Sequence, residues 1–193
     1  MRKFLGVIVV MVLIAAGSVS VGYTHNPVFG TSGDDILVGT PGEDALEGYG
    51  GNDILIGGGS NDTLAGGDGN DDITAGDGNL RIDGGKGDDT INSGDGNDRI
   101  DGGDGNDQIT DSGGDNIIKS GKGDDDINSG KGDDIIDSGD GNDQIIDSGG
   151  TNIIKTGKGN DYVEAHDTTS TIDGGAGFDT CIGGAKRKNC EAP

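Results

Sequence analysis

Glycine followed two residues later by aspartate recurs every nine residues through most of this 193-residue chain, as at Asp89, Asp98 and Asp107. A periodic carboxylate can move protons or coordinate a cation. Proton transfer in a catalytic site needs a positioned partner, and none recurs in phase with the acids. The only histidines, His25 and His166, belong to no H-E-x-x-H motif. The G-K-G stretches at 85–87, 121–123, 130–132 and 157–159 have glycine after the lysine, where a phosphate-binding loop carries serine or threonine. The D-G-N-D segments lack the sixth-position glycine and twelfth-position glutamate of an EF-hand loop. Coordination remains: carboxylate oxygens beside exposed backbone carbonyls are the donor set of a hard divalent cation. No enzymatic activity is expected.

The acids must be held by something equally periodic. From Gly30 to Glu191 the chain divides into eighteen nonapeptides without insertion or deletion. Their eighth position reads Leu37, Leu46, Leu55, Leu64, then Ile from Ile73 to Ile154, then Val163, Ile172, Cys181 and Cys190. The fourth position is Gly in fifteen repeats and the sixth is Asp in thirteen. The unit G-G-x-G-x-D-x-U-x therefore joins a tight glycine turn to a very short strand with one inward aliphatic side chain, U. A unit this small cannot fold alone, so neighbouring repeats must stack to make a core.

This nonapeptide resembles the hemolysin-type, or RTX, calcium-binding repeat over residues 30–191. The resemblance implies an all-β fold, a right-handed parallel β-roll with two nonapeptides per turn. Calcium would lie in the turns between successive rungs, on sixth-position aspartates and backbone carbonyls. Eighteen repeats then give nine rungs, roughly 43 Å at the usual strand spacing.

With two repeats per turn, odd and even repeats stack along opposite edges. The odd edge carries an unbroken acid column: Asp35, Asp53, Asp71, Asp89, Asp107, Asp125, Asp143, Asp161 and Asp179. The even edge reads Asp44, Asp62, Leu80, Asp98, Asn116, Asp134, Asn152, Ser170 and Lys188. On this reading it loses its acid at every second rung from Leu80 and at every rung from Asn152 onward. Eight odd-edge gaps and the gap between Asp44 and Asp62 have a carboxylate on both sides, so about nine strong calcium sites are expected. Gaps with Asn116 or Asn152 should bind more weakly, unless those residues are simply turn formers, and Lys188 should repel a cation. The formal charge of −23 would fall to about −7 once nine ions are bound and the leader described next is removed, an ordinary value for a soluble domain. Without ions, stacked acids repel, so binding and folding should be one event.

Residues 1–20 have a different composition. Arg2 and Lys3 precede an apolar stretch from Phe4 to Ala16, with small residues Ser18 and Ser20 beyond. This is the layout of a cleaved secretory signal peptide, a retained anchor being the alternative. Residues 21–29 read as a lead-in and 192–193 as a tail. The protein is therefore expected to be secreted or at the cell surface. Its acidity excludes nucleic acid and anionic membrane surfaces as partners.

In an exported chain two cysteines favour a disulfide, here Cys181 with Cys190, and the family resemblance also implies a closing pair. Facing sheets lie ~10 Å apart and bridged Cα atoms at most ~7 Å, so the end of the roll must pinch, or two buried free thiols remain. Ile117, Ile135 and Ile153 fall at the outward seventh position and form an apolar ladder, either cross-strand packing or a surface for a partner or second copy. The function expected is a secreted calcium-binding roll with a structural or cell-surface role. An adhesion or interaction module is the alternative. Ice binding fits less well, because the third position carries Asp68, Lys86, Asp104, Lys122 and Lys131 rather than threonine. An accessory module of a secreted enzyme fits least, since nothing outside the repeats is long enough to be catalytic.

Overall fold

The computed structural model describes residues 12–14, 17–21 and 27–191. All regular structure among these residues is β. Two sheets, of eleven and ten strands, form a parallel β-solenoid of about nine turns. Pairing runs from residue i to residue i+18: Ile91 lies beside Ile109 and Ile127 in one sheet, and Ile100 beside Ile118 and Ile136 in the other. Odd repeats supply the first sheet and even repeats the second, as two nonapeptides per turn require.

Most odd strands are three residues long, such as Thr90–Asn92, with only the central side chain inward, while Gln144–Asp147 and Tyr162–Ala165 run to four and bury their last residue as well. The even strands from Ala45–Gly50 to Ile135–Asp140 run on for six, because their backbone stays extended into the next repeat, and those from Ile153–Lys155 onward return to three. Every eighth-position side chain from Leu37 to Cys181 is buried. A single file of aliphatic residues from each sheet thus makes a narrow continuous core, and a one-residue slip would turn each file outward.

Close stacking dictates the turn glycines. At Gly67, φ is +120° and a Cβ would lie 2.3 Å from the Tyr49 carbonyl oxygen one rung below. Thr31 and Tyr49 begin this column without glycine, and of the two only Tyr49 is left-handed. It takes a φ of +76° and stacks on Phe29 with ring centroids 6.0 Å apart. It has only the first turn beneath it, so its side chain has room to fold outward.

The two ends are built differently from the middle. Arg2, Lys3 and most of the apolar stretch of the expected leader lie outside the described residues, as do residues 192–193. Val12–Ile14 and Gly17–Val21 pair antiparallel, and Gly17–Val21 lies parallel to Ile36–Val38. At the other end the last repeat leaves the eighteen-residue register. Ile172 pairs with Arg187, fifteen residues on, so Lys188 lies opposite Asp173 rather than in the sixth-position column. Lys188 Nζ is 2.9 Å from Asp173 Oδ2; it neutralises an acid instead of repelling a cation. The exposed strand Lys186–Lys188 thereby ends its sheet in three positive charges, which discourage further strand addition. Cys190, freed from the regular rung, is bonded to Cys181 with Cα atoms 5.7 Å apart. The expected pinch is this change of register.

On the outer surface Ile117, Ile135 and Ile153 are side by side and 39–48% exposed. Third-position residues of the odd repeats alternate in sign, with Lys86 on Asp68, Lys122 on Asp104 and Lys158 on Asp140 at 2.6–2.7 Å.

Candidate metal centre

The thirteen sixth-position aspartates are all at most 5% exposed, unusual for acids. The turn glycines bring the backbone inward just before each, so the carboxylate lies within the bend and not on it. Along the odd edge one oxygen has a structural task. Asp53 Oδ1 accepts from the Asp35 amide at 2.8 Å, Asp71 Oδ1 from Asp53 at 2.7 Å, and Asp107 Oδ1 from Asp89 at 2.9 Å. The ladder continues unbroken to Asp179.

On the even edge the same ladder tolerates other acceptors. The Asp98 amide donates to Asn116 Oδ1 at 2.9 Å, the Asn116 amide to Asp134 Oδ1 at 2.8 Å, and the Asn152 amide to Ser170 Oγ at 2.7 Å. Any side chain with an oxygen serves this bond. Aspartate is therefore not needed for it, and its charge asks for a second explanation.

The other oxygen carries that explanation. In eleven of the thirteen, from Asp53 to Asp179, Oδ2 is buried without a hydrogen-bond partner. A group so placed costs several times what its bonded neighbour contributes. Its surroundings are oxygen-rich. A Cβ built on Gly48 would fall 2.2 Å from Asp53 Oδ2 and 2.5 Å from the Gly66 carbonyl oxygen. At Gly66 the corresponding oxygens are Asp71 Oδ2 at 2.2 Å and the Gly84 carbonyl at 2.6 Å. At these turns a carboxylate and the carbonyl of the next turn thus face one small space beside the glycine, whereas from Ser120 to Thr156 a hydroxyl side chain stands in that column.

Burial pushes ten of these acids up, among them Asp53, Asp98, Asp125 and Asp179. Asp62, Asp71, Asp107, Asp134 and Asp143 rise to about 6 and Asp89 to about 7. Loss of water is the main cause in each, and neighbouring acids add to it, Asp147 in the case of Asp134. Backbone amides donating to Oδ1 oppose the rise. Without an ion the acids so raised hold protons up to about pH 6, and Asp89 to about 7, whereas a divalent ion would hold them ionised. Among the described residues no three acid, imidazole or thiol groups converge on one point. A cation here would have two carboxylates at most and would depend on backbone carbonyls, which matches the preference of calcium for many oxygen ligands.

The structure adds acids that the nine-residue pattern did not single out. Asp111 and Asp147 occupy the first position of their repeats, where half of the turns have glycine, and are 2% and 0% exposed. They belong to the same two repeats whose sixth position is Asn116 or Asn152. The even edge therefore does not lose its acid at those rungs; the acid has moved five residues upstream. At Leu80 the loss is real, because the first position there is Ala75 and both side chains are buried. The signal was present in the sequence, as Asp and Asn exchanging between two columns. Elsewhere the first position is filled by hydroxyls: Ser120 Oγ donates to the Ser138 carbonyl at 2.9 Å and Ser138 Oγ to that of Thr156 at 3.0 Å.

The model of the RTX calcium-binding nonapeptide repeat matches residues 29–64, 47–79, 81–109, 110–145 and 146–181. Leu80 alone is skipped in that span. No curated protein matches the chain. With turn, strand and buried acid in the same phase through nearly every repeat, the chain belongs to the RTX calcium-binding nonapeptide repeat family.

Proposed function

We propose that this protein is an extracellular calcium-dependent β-roll with a structural or cell-surface role and no catalytic activity, and that calcium binding completes its fold. The observation that carries this reading is the division of labour in eleven of the thirteen sixth-position aspartates, from Asp53 to Asp179: Oδ1 is spent on the ladder, and Oδ2 is buried near turn carbonyls with no donor. Eight odd-edge gaps between Asp35 and Asp179, and the gap between Asp44 and Asp62, are the proposed sites, about nine ions in all. In each, carboxylates from adjacent turns hold the ion from both sides while glycine carbonyls complete its shell. Bound, the ion neutralises two stacked acids and joins two rungs, so its binding free energy adds directly to folding.

Membership in a calcium-binding repeat family and the disulfide between Cys181 and Cys190 support an oxidising, calcium-rich location. Far-UV circular dichroism of residues 21–193, titrated with calcium and separately with magnesium, tests the reading. A cooperative coil-to-β transition with calcium is expected. A spectrum already β-rich in chelator, and unchanged by calcium, would refute it.

A second reading rests on the exposed Ile117, Ile135 and Ile153 ladder. That surface suits a protein partner or another copy of the chain. Replacement of all three by threonine, the residue at Thr63 and Thr171 in the same column, should then abolish any calcium-dependent dimer seen by light scattering.

A further inference from the structure

The relocated acids occur twice with the same surroundings, thirty-six residues apart. Asp111 is preceded in its column by Ser93 and followed in its own turn by Asn116; Asp147 is preceded by Ser129 and followed by Asn152. The nearest sixth-position acid one rung back is Asp98 in the first case and Asp134 in the second. Ser93 Oγ donates to Asp111 Oδ2 at 2.5 Å and Asn116 Nδ2 to Asp111 Oδ1 at 2.8 Å. In the second copy Asp147 Oδ1 takes the Gly149 amide at 3.2 Å and Ser129 Oγ at 3.4 Å.

Each copy leaves buried atoms without partners: Asp98 Oδ2 in one, and Asp134 Oδ2, Asp147 Oδ2 and Asn152 Nδ2 in the other. Packing alone does not ask for these acids. Ser93 and Ser129 fill the same column with no exposure and no charge. Where the edge has no need of an acid, at Ala75 and Leu80, the turn is apolar. Two like charges brought together inside the roll persist only with a positive charge or a proton between them.

We infer that Asp111 with Asp98, and Asp147 with Asp134, form two further divalent-cation sites, built from a first-position acid of one even turn and the sixth-position acid of the turn before. Serine hydroxyls Ser93 and Ser129 and the turn carbonyls supply neutral oxygens, as a six- to eight-oxygen shell requires. The acid at position one stands where glycine stands in the odd turns from Gly48 to Gly102, and would add a carboxylate to the shell. The calcium complement then rises from about nine to about eleven. This inference rests on the proposed calcium binding, and the measurement separates the two.

The test is the number of calcium ions bound at saturation by the purified chain, from equilibrium dialysis with elemental analysis. Beside it stand the isosteric double variant Asp111→Asn/Asp147→Asn and an exposed control, Asp72→Asn. The double variant should bind two fewer ions than the unsubstituted chain and still show the calcium-induced β spectrum, and the control should bind the full number. Serine at both positions, a side chain already seated at Ser93 and Ser129, gives the same readout if the asparagine chain does not fold. An unchanged ion count in the folded double variant overturns the inference and leaves a shared proton in its place. No calcium bound by the unsubstituted chain overturns this inference and the proposed function together.

Discussion

The odd and even edges use one turn geometry for two different purposes. On the odd edge from Gly48 to Gly102 the first position is glycine and the sixth is aspartate without exception, so each turn is a copy of the last. On the even edge from Ser93 to Asn152 the first position alternates serine with aspartate while the sixth alternates aspartate with asparagine. Both edges keep the same i to i+18 register, and both carry a ladder of amides onto sixth-position oxygens, unbroken on the odd edge and interrupted at Leu80 on the even edge. The backbone periodicity therefore does not need a conserved acid, and at Leu80 the rung keeps its register with no oxygen at position six. What the acid adds is charge, and charge can be supplied from either end of the turn.

Removal of calcium should affect both edges and is the largest effect. In chelator at pH 7 the roll is expected to lose its β signal altogether. Its pH dependence should run opposite to ordinary acid denaturation. The folded acids bind protons up to about 6, or about 7 for Asp89, whereas their unfolded counterparts release theirs near the ordinary value of 3.8. The ion-free fold therefore holds more protons than the unfolded chain between those limits, and its stability falls as pH rises through them. Circular dichroism in chelator from pH 4 to pH 7 should show structure lost on the way up, and calcium should restore it at pH 7.

The next contrast breaks the turn itself. Gly66→Ala places a methyl 2.2 Å from Asp71 Oδ2 and 2.6 Å from the Gly84 carbonyl. Denaturant unfolding in calcium should show a loss of about 3 kcal/mol or more, at the upper end for single substitutions. Ser138→Ala in the same column removes only a hydroxyl bonded to the Thr156 carbonyl and should cost about 1 kcal/mol. Equal losses at the two positions would show that the glycine turns are not specially crowded.

Asp107 separates the two tasks of the sixth position. Asp107→Asn keeps the acceptor for the Asp89 amide and removes the charge. It should lower calcium affinity about tenfold, measured by calorimetric titration, while the calcium-saturated fold remains. Asp107→Ala removes both, and the orphaned buried amide should add about 1–3 kcal/mol to the loss. The smallest effect belongs to the outer charge ladder. Lys122→Ala breaks a 2.6 Å ion pair with Asp104 between two exposed side chains and should leave the unfolding midpoint unchanged within error, as exposed pairs generally do.

Much of this was legible because the repeat is rigid. An aliphatic residue at every eighth position can face inward only if the chain returns after a whole number of nonapeptides, and glycine at positions one, two and four marks where it bends. Asp111 and Asp147 escaped because a period-nine reading weighs each column separately. Their meaning appears only when positions one and six of one turn are seen to face the same interior space. Lys188 was misplaced for the opposite reason: its column assignment assumed that the last repeat keeps the period.

Composition and spacing by themselves determined the strand phase, the buried column from Leu37 to Cys181 and the acid-lined turns, since these follow from local geometry repeated without insertion. Tertiary structure alone decided which carboxylate oxygen is free, which acids share a turn, and how the end closes. Those depend on contacts eighteen residues apart across stacked rungs, and at the last rung on a three-residue change of register that lets Cys190 reach Cys181. A sequence period describes each rung as though it had neighbours on both sides, and the terminal rung has only one.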